Sequence, residues 1–192
     1  TVQIQGCNIH PGYAKDKMIN AMHVGMEFNS LLPAEQRPEH TCGYEGFFHL
    51  IEFTGTVENA KLSYIIRDHD LELFEGRKEL MVKCAEKINE KYGCGTVNLD
   101  IKHQYYNMKQ MVEPHLHIVD KAMEAMKMEG IEPKVQPIRG GTDGGNLSYM
   151  GLPCPNIFAG GHNFHGKFEY IPLESMEKAS KVVLNIISLY AK

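Results

Sequence analysis

The stretch FFHLIEFTGTVENAKLSYIIRD, residues 47–68, reads as two strands in succession, FFHLIEFTG (47–55) and AKLSYIIRD (60–68). What flanks this pair decides the fold. Before it, residues 1–9 alternate as a strand, with Val2 and Ile4 facing one way and Gln3 and Gln5 the other. HPGYAKDK (10–17) then turns into a helix of about 17 residues, whose apolar stripe includes Met18, Met22 and Met26. The loop LLPAEQRPEHTCGYEG (31–46), punctuated by Pro33, Pro38 and two glycines, leads into the strand pair. After the pair, a helix spans about Leu71 to Lys91 with Phe74, Met81, Cys84 and Ile88 on one face. CGTVNLDIKHQYY (94–106) follows as a strand, with Val97, Leu99 and Ile101 alternating against polar residues. The order is βαββαβ, which predicts an antiparallel four-stranded sheet with two helices on one face, a ferredoxin-like α+β layer. The expected domains are 1–108 and 109–192.

The second half has another rhythm. A helix is expected near 115–129, carrying Leu116, Val119, Met123 and Met126. KVQPIRGGTDGG (134–145) reads as a short strand breaking into a glycine loop, NLSYMG (146–151) as a short helix, and PNIFAGG (155–161) as a buried strand. A final helix at 174–191 turns Met176, Ala179, Val183, Ile186 and Tyr190 toward a core. This α, β, α, β, α order reads as an incomplete part of a parallel or mixed α/β sheet, because two strands rarely make a sheet.

Composition narrows the function classes. A net charge of −4 gives no basic footprint for nucleic acid or an acidic membrane. No apolar run reaches the roughly 18 residues of a membrane span. The five cysteines (Cys7, Cys42, Cys84, Cys94, Cys154) are odd in number and contain no Cys-x-x-Cys pair, which reads as reduced cytoplasmic thiols. Cys84 lies on an apolar helical stripe and is expected in a core. The chain starts with Thr1 on a strand, which reads as a piece of a longer protein.

Two loops carry candidate chemistry. AGGHNFHGKFEY (159–170) sets His162 and His165 three residues apart in a glycine-rich loop; two imidazoles suit zinc but do not fill a tetrahedron, and solvent-facing histidines are the alternative. IRGGTDGG (138–145) places Arg139 before glycines whose amides can approach an anion, or simply form a tight turn. It lacks the Gly-Lys-Ser/Thr of a phosphate loop. His10, in CNIHPG, ends a strand. In IIRDHD adjacent side chains point to opposite faces, so Asp68 and His69 do not converge and Arg67 is the residue of interest. His115 and His117 stand at i,i+2 in a helix opening and are discounted.

Taken together, HPGYAKDKMINA, GYEGFFHL, YIIRDHD, YYNM and, above all, PIRGGTDGGNLSYMGLPCPNIFAGGHNFHGKFEYIPLESMEKA resemble the tripeptide aminopeptidases of the di-zinc, aminoacylase-like exopeptidase family. The resemblance covers essentially the whole chain. It implies a two-zinc catalytic domain with an inserted four-stranded lid that also forms a homodimer. The matching zinc ligand is His165; His162 falls where the family usually has Tyr and is a loop neighbour. His10 matches a lid histidine that reaches the partner subunit's active site and stabilises the oxyanion. Arg67 and Arg139 match anchors for the substrate's carboxylate or scissile-region oxygens, with Asn107 as a further candidate for that pocket. Asp143 and Thr142 shape the loop.

The family's other zinc ligands, and the Glu that deprotonates a zinc-bound water, belong to motifs this sequence does not contain. The resemblance therefore implies an intact cytoplasmic enzyme with two zinc ions, of which this chain carries one ligand and by itself no activity. The alternatives are a non-catalytic dimerisation or anion-binding module and a sibling di-zinc exopeptidase of other specificity.

Overall fold

The computed structural model describes residues 1–104 and 106–191. The chain divides into two compact units, Thr1–His103 and Gln104–Lys192. The first unit is built on strands β1 (Val2–Gln5), β2 (Phe47–Gly55), β3 (Asn59–Arg67) and β4 (Val97–Leu99) in the order β2-β3-β1-β4, every neighbouring pair antiparallel. Helices α1 (Ala21–Leu31) and α2 (Leu71–Tyr92) fill the two crossovers. The expected βαββαβ layer is thus formed.

Alternation along β1 sends Val2 and Ile4 into the core and Gln3 and Gln5 to the open face. The helices close the apolar face through Val24 and Phe28 of α1 and Met81, Cys84 and Ile88 of α2, packed on Leu62, Phe48 and Val97. Gly25 lets α1 approach the sheet: a Cβ there would stand 2.8 Å from the Phe53 ring and 3.0 Å from Leu62. The Asn89 side chain donates to the Val97 carbonyl at 2.9 Å and accepts the Val97 N–H at 2.8 Å, fixing β4 against α2. Asp70 caps α2 by accepting the Leu73 N–H at 2.9 Å.

Three expectations for this unit need correction. α1 has eleven residues, not about 17, because Cys7 and Ile19 exchange backbone hydrogen bonds and Asn20 caps the helix after them. Its core stripe is therefore Ala21, Val24, Gly25 and Phe28, while Met26 is half-exposed. β1 and β4 are shorter than expected, pairing only over Val2–Gln5 and Val97–Leu99.

The second unit contains α3 (Lys109–Val112), α4 (His117–Met128), α5 (Asp143–Tyr149) and α6 (Leu173–Tyr190). α4 packs on α6 through Ala122, Ala125 and Val182, with Asn185 donating to Glu129 Oε1 at 2.7 Å. The strands expected within 134–145 and 155–161 are absent among the described residues. Neither stretch finds a partner strand to satisfy its amides, so both run as irregular chain. On α6, Val183 and Tyr190 are exposed, and Val182 is the buried residue. Among the described residues no helix is long and apolar enough to cross a membrane.

Candidate functional site

In the first unit, β1 runs out into a loop in which His10 caps a single 3-10 turn, Pro11–Tyr13. The Gly12 N–H donates to His10 Nδ1 at 3.1 Å. In the neutral ring an accepting Nδ1 puts the proton on Nε2, so His10 presents an N–H donor to solvent. The ring lies 5.6 Å from that of Tyr13, and the residue is exposed. A preset donor of this kind is what stabilising a developing oxyanion requires.

Arg67 ends β3, paired with Phe47 and half-buried, with its Nη1 donating to the Ile66 carbonyl at 3.0 Å. The β3 residue that pairs with Gln5, before the His10 loop, is Asn59 at the opposite end of the strand. Within this unit the sheet therefore keeps His10 and Arg67 apart. Beyond Arg67 the neighbours separate as expected: Asp68 turns inward to Arg77, and His69 sits edge-on to Tyr44 at 5.1 Å. The Asp68–Arg77 ion pair is largely buried, with side-chain exposures of 2% for Asp68 and 13% for Arg77. Sequence reading missed it, because the partner lies nine residues away on the next helix.

In the second unit, Asn107 Oδ1 accepts the Lys109 N–H at 2.9 Å, and its carbonyl accepts the Tyr149 hydroxyl at 3.1 Å, tying it to α5. Arg139 is half-buried just ahead of Thr142, the residue that opens α5. The glycine loop is held by close contact: a Cβ at Gly144 would stand 2.5 Å from the Cys154 carbonyl oxygen. Asn156 donates to Thr142 Oγ1 at 3.0 Å, and buried Ser148 accepts the Cys154 N–H at 3.0 Å. Thr142 thus shapes the loop.

His165 is exposed on a turn with a left-handed backbone (φ 63°), and its N–H donates to Glu169 Oε2 at 2.8 Å. His162 exchanges two backbone hydrogen bonds with Tyr170, and their rings stack 5.0 Å apart. His162 is therefore part of the loop's closure. A zinc ion needs three or four converging His, Cys, Asp or Glu ligands. Among the described residues no three such groups converge, and His165 offers a single imidazole. By themselves these residues do not fit a zinc site. His115 and His117 make an edge-to-face ring contact at 6.1 Å, because a 3-10 turn precedes α4. Tyr105, in the YYNM stretch, lies outside the described residues.

Comparison with known proteins gives a consistent picture. Residues 1–93 match the family model of the peptidase dimerisation domain. The chain is 61% identical over 188 residues to peptidase T of Parabacteroides distasonis, covering 98% of this chain and 46% of that protein. It is 56% identical over 191 residues to peptidase T of Caldanaerobacter subterraneus subsp. tengcongensis, covering 100% and 47%. The chain thus spans about half the length of the curated relatives it matches. Among solved structures, the aminopeptidase PepT of Bacillus cereus shares the fold with a TM-score of 0.75 at 21% identity, over 100% of this chain and 51% of that one. A tripeptidase of Staphylococcus aureus does so with a TM-score of 0.78 at 19% identity, over 98% and 50%.

Proposed function

Given a similarity to peptidase T that runs the length of the chain, we propose that this sequence is part of a zinc-dependent, cytoplasmic aminopeptidase that releases the N-terminal residue from tripeptides. The observation that carries the reading is the 61% identity to a peptidase T over 98% of the chain. The first unit supports it, since its residues 1–93 match a peptidase dimerisation domain. On this reading, residues 1–108 form the lid and the homodimer contact, and residues 109–192 contribute to the catalytic domain.

Zinc, when bound in the intact enzyme, supplies Lewis-acid chemistry and an activated water. This chain's own residues have narrower tasks. His165 offers one ligand. Arg67 and Arg139 each hold oxygens of the peptide, a role for which the guanidinium fork is suited, and Asn107 is a further substrate-binding candidate. His10 donates from Nε2 to the oxyanion, across the dimer.

Two assays test the proposal. In the longer protein carrying this sequence, tripeptides are expected to lose their N-terminal residue, and His10→Ala is expected to lower kcat by about 100-fold or more. An unchanged kcat removes His10 from the reaction. The 192-residue chain alone is expected to show no turnover, since among the described residues no three ligating groups converge; zinc-dependent tripeptide hydrolysis by it would overturn that assignment. The match of residues 1–93 to a peptidase dimerisation domain supports a second reading for the chain on its own, a non-catalytic dimerisation or anion-binding module.

A further inference from the structure

The turn that presents His165 is more firmly built than an exposed loop requires. Asn163 and His165 both adopt left-handed backbone, at φ 55° and 63°, a conformation that crowds Cβ against the following carbonyl. Glycine is the usual solution, and glycines stand at positions 160, 161 and 166, yet the strained positions hold Asn and His. Strain retained at an exposed, chemically active side chain points to a conformation that the surroundings must enforce. Three sets of contacts do so. His162 and Tyr170 exchange backbone hydrogen bonds of 2.8 and 3.2 Å. Asn163 Nδ2 donates to the Phe168 carbonyl at 3.2 Å, and the Gly166 N–H to the Asn163 carbonyl at 2.8 Å. The third contact bears on His165 itself: its N–H donates to the Glu169 carboxylate at 2.8 Å, a charge-assisted bond to the strained residue's own backbone.

We infer that Glu169 is a positioning residue: its carboxylate, by holding the His165 N–H, locks the left-handed turn that sets the direction of the His165 imidazole. The inference rests on the reading of His165 as a site residue. It requires no contact between Glu169 and the imidazole, a ligand or a substrate. The His162–Tyr170 bridge closes the loop, and Glu169 selects the backbone conformation within it. These are separable tasks, and that separation makes the inference testable.

Amide hydrogen exchange on the longer protein carrying this sequence reads both tasks at once. In Glu169→Ala the His165 amide is expected to exchange about tenfold faster, the loss of one charge-assisted hydrogen bond. The His162 and Tyr170 amides are expected to keep their protection. Glu169→Gln, whose side-chain oxygen can still accept, is expected to restore most of the His165 protection. The inference is overturned if the His165 amide is indifferent to Glu169→Ala, or if Glu169→Gln fails to rescue it. It is equally overturned if the His162 and Tyr170 amides open together with His165, since Glu169 would then merely fold the loop. The reading of His165 stands or falls separately, on His165→Ala in the tripeptide assay of the longer protein.

Discussion

The two units of this chain handle apolar side chains in opposite ways. Thr1–His103 gathers fourteen buried residues from both helices and all four strands into one cluster. Among the described residues of Gln104–Lys192 the buried hydrophobic ones are small: Val112, Ala122, Ala125 and Val182. Large side chains there stay in solvent, with Met150 at 81% and Phe168 at 75% exposure. A sheet covered by its own crossover helices completes a core within about a hundred residues. Among its described residues the second unit has no strand of its own for the helices to pack on, and α6 is apolar on more sides than α4 can cover. The lesson is that similarity along a whole chain does not imply equal self-sufficiency along it.

Equilibrium unfolding with single substitutions can break that contrast. Phe28→Ala, at a fully buried position, is expected to cost about 3–5 kcal/mol, against roughly 0.5 kcal/mol or less for Ile187→Ala on the exposed side of α6. Equal losses would mean that the second unit has a core of its own. Asp68→Ala leaves the Arg77 guanidinium buried without its carboxylate and is expected to cost about 3 kcal/mol by the same measurement. Gly25→Ala pushes a methyl into Phe53 and Leu62, for roughly 1–3 kcal/mol of overpacking; a neutral result would show that α1 can slide on the sheet.

The smallest effect sharpens how α1 is tied to α2. Hydrogen bonds from Lys91 and then Tyr92 hold the Glu27 carboxyl below its ordinary pKa. A carboxylate with a depressed folded pKa stabilises the fold above its unfolded value. That contribution fades as pH falls below about 4.3 and through the lower folded value. Glu27→Gln is expected to flatten this part of the pH–stability curve by a few tenths of a kcal/mol, since the pair is solvent-screened. Superimposable curves would show that the contact is idle.

Legibility followed locality. The strand pair at 47–68 and the helix near 71–91 were readable because periodicity and turn residues are local signals, and Cys84 was placed in the core for the same reason. The methionine stripe misled: Met18, Met22 and Met26 are helically spaced, but a bridge between Cys7 and Ile19 delays the helix and rotates Val24 and Phe28 inward. The strands expected within 134–145 and 155–161 carry apolar residues, yet a strand exists only with a neighbour. The grip of Glu169 on the His165 backbone was not legible, because a left-handed φ leaves no mark in composition.

The sequence by itself determined the βαββαβ order, the likeness to a peptidase and the residues that could carry chemistry, since these depend on residue type and spacing. Tertiary structure decided which face of α1 is buried, that Asp68 is locked to Arg77 and that His10 presents Nε2. It also decided that His165 is held by Glu169. The physical reason is common to all four: each depends on backbone direction and on a partner brought in by folding, and neither is encoded in spacing along the chain.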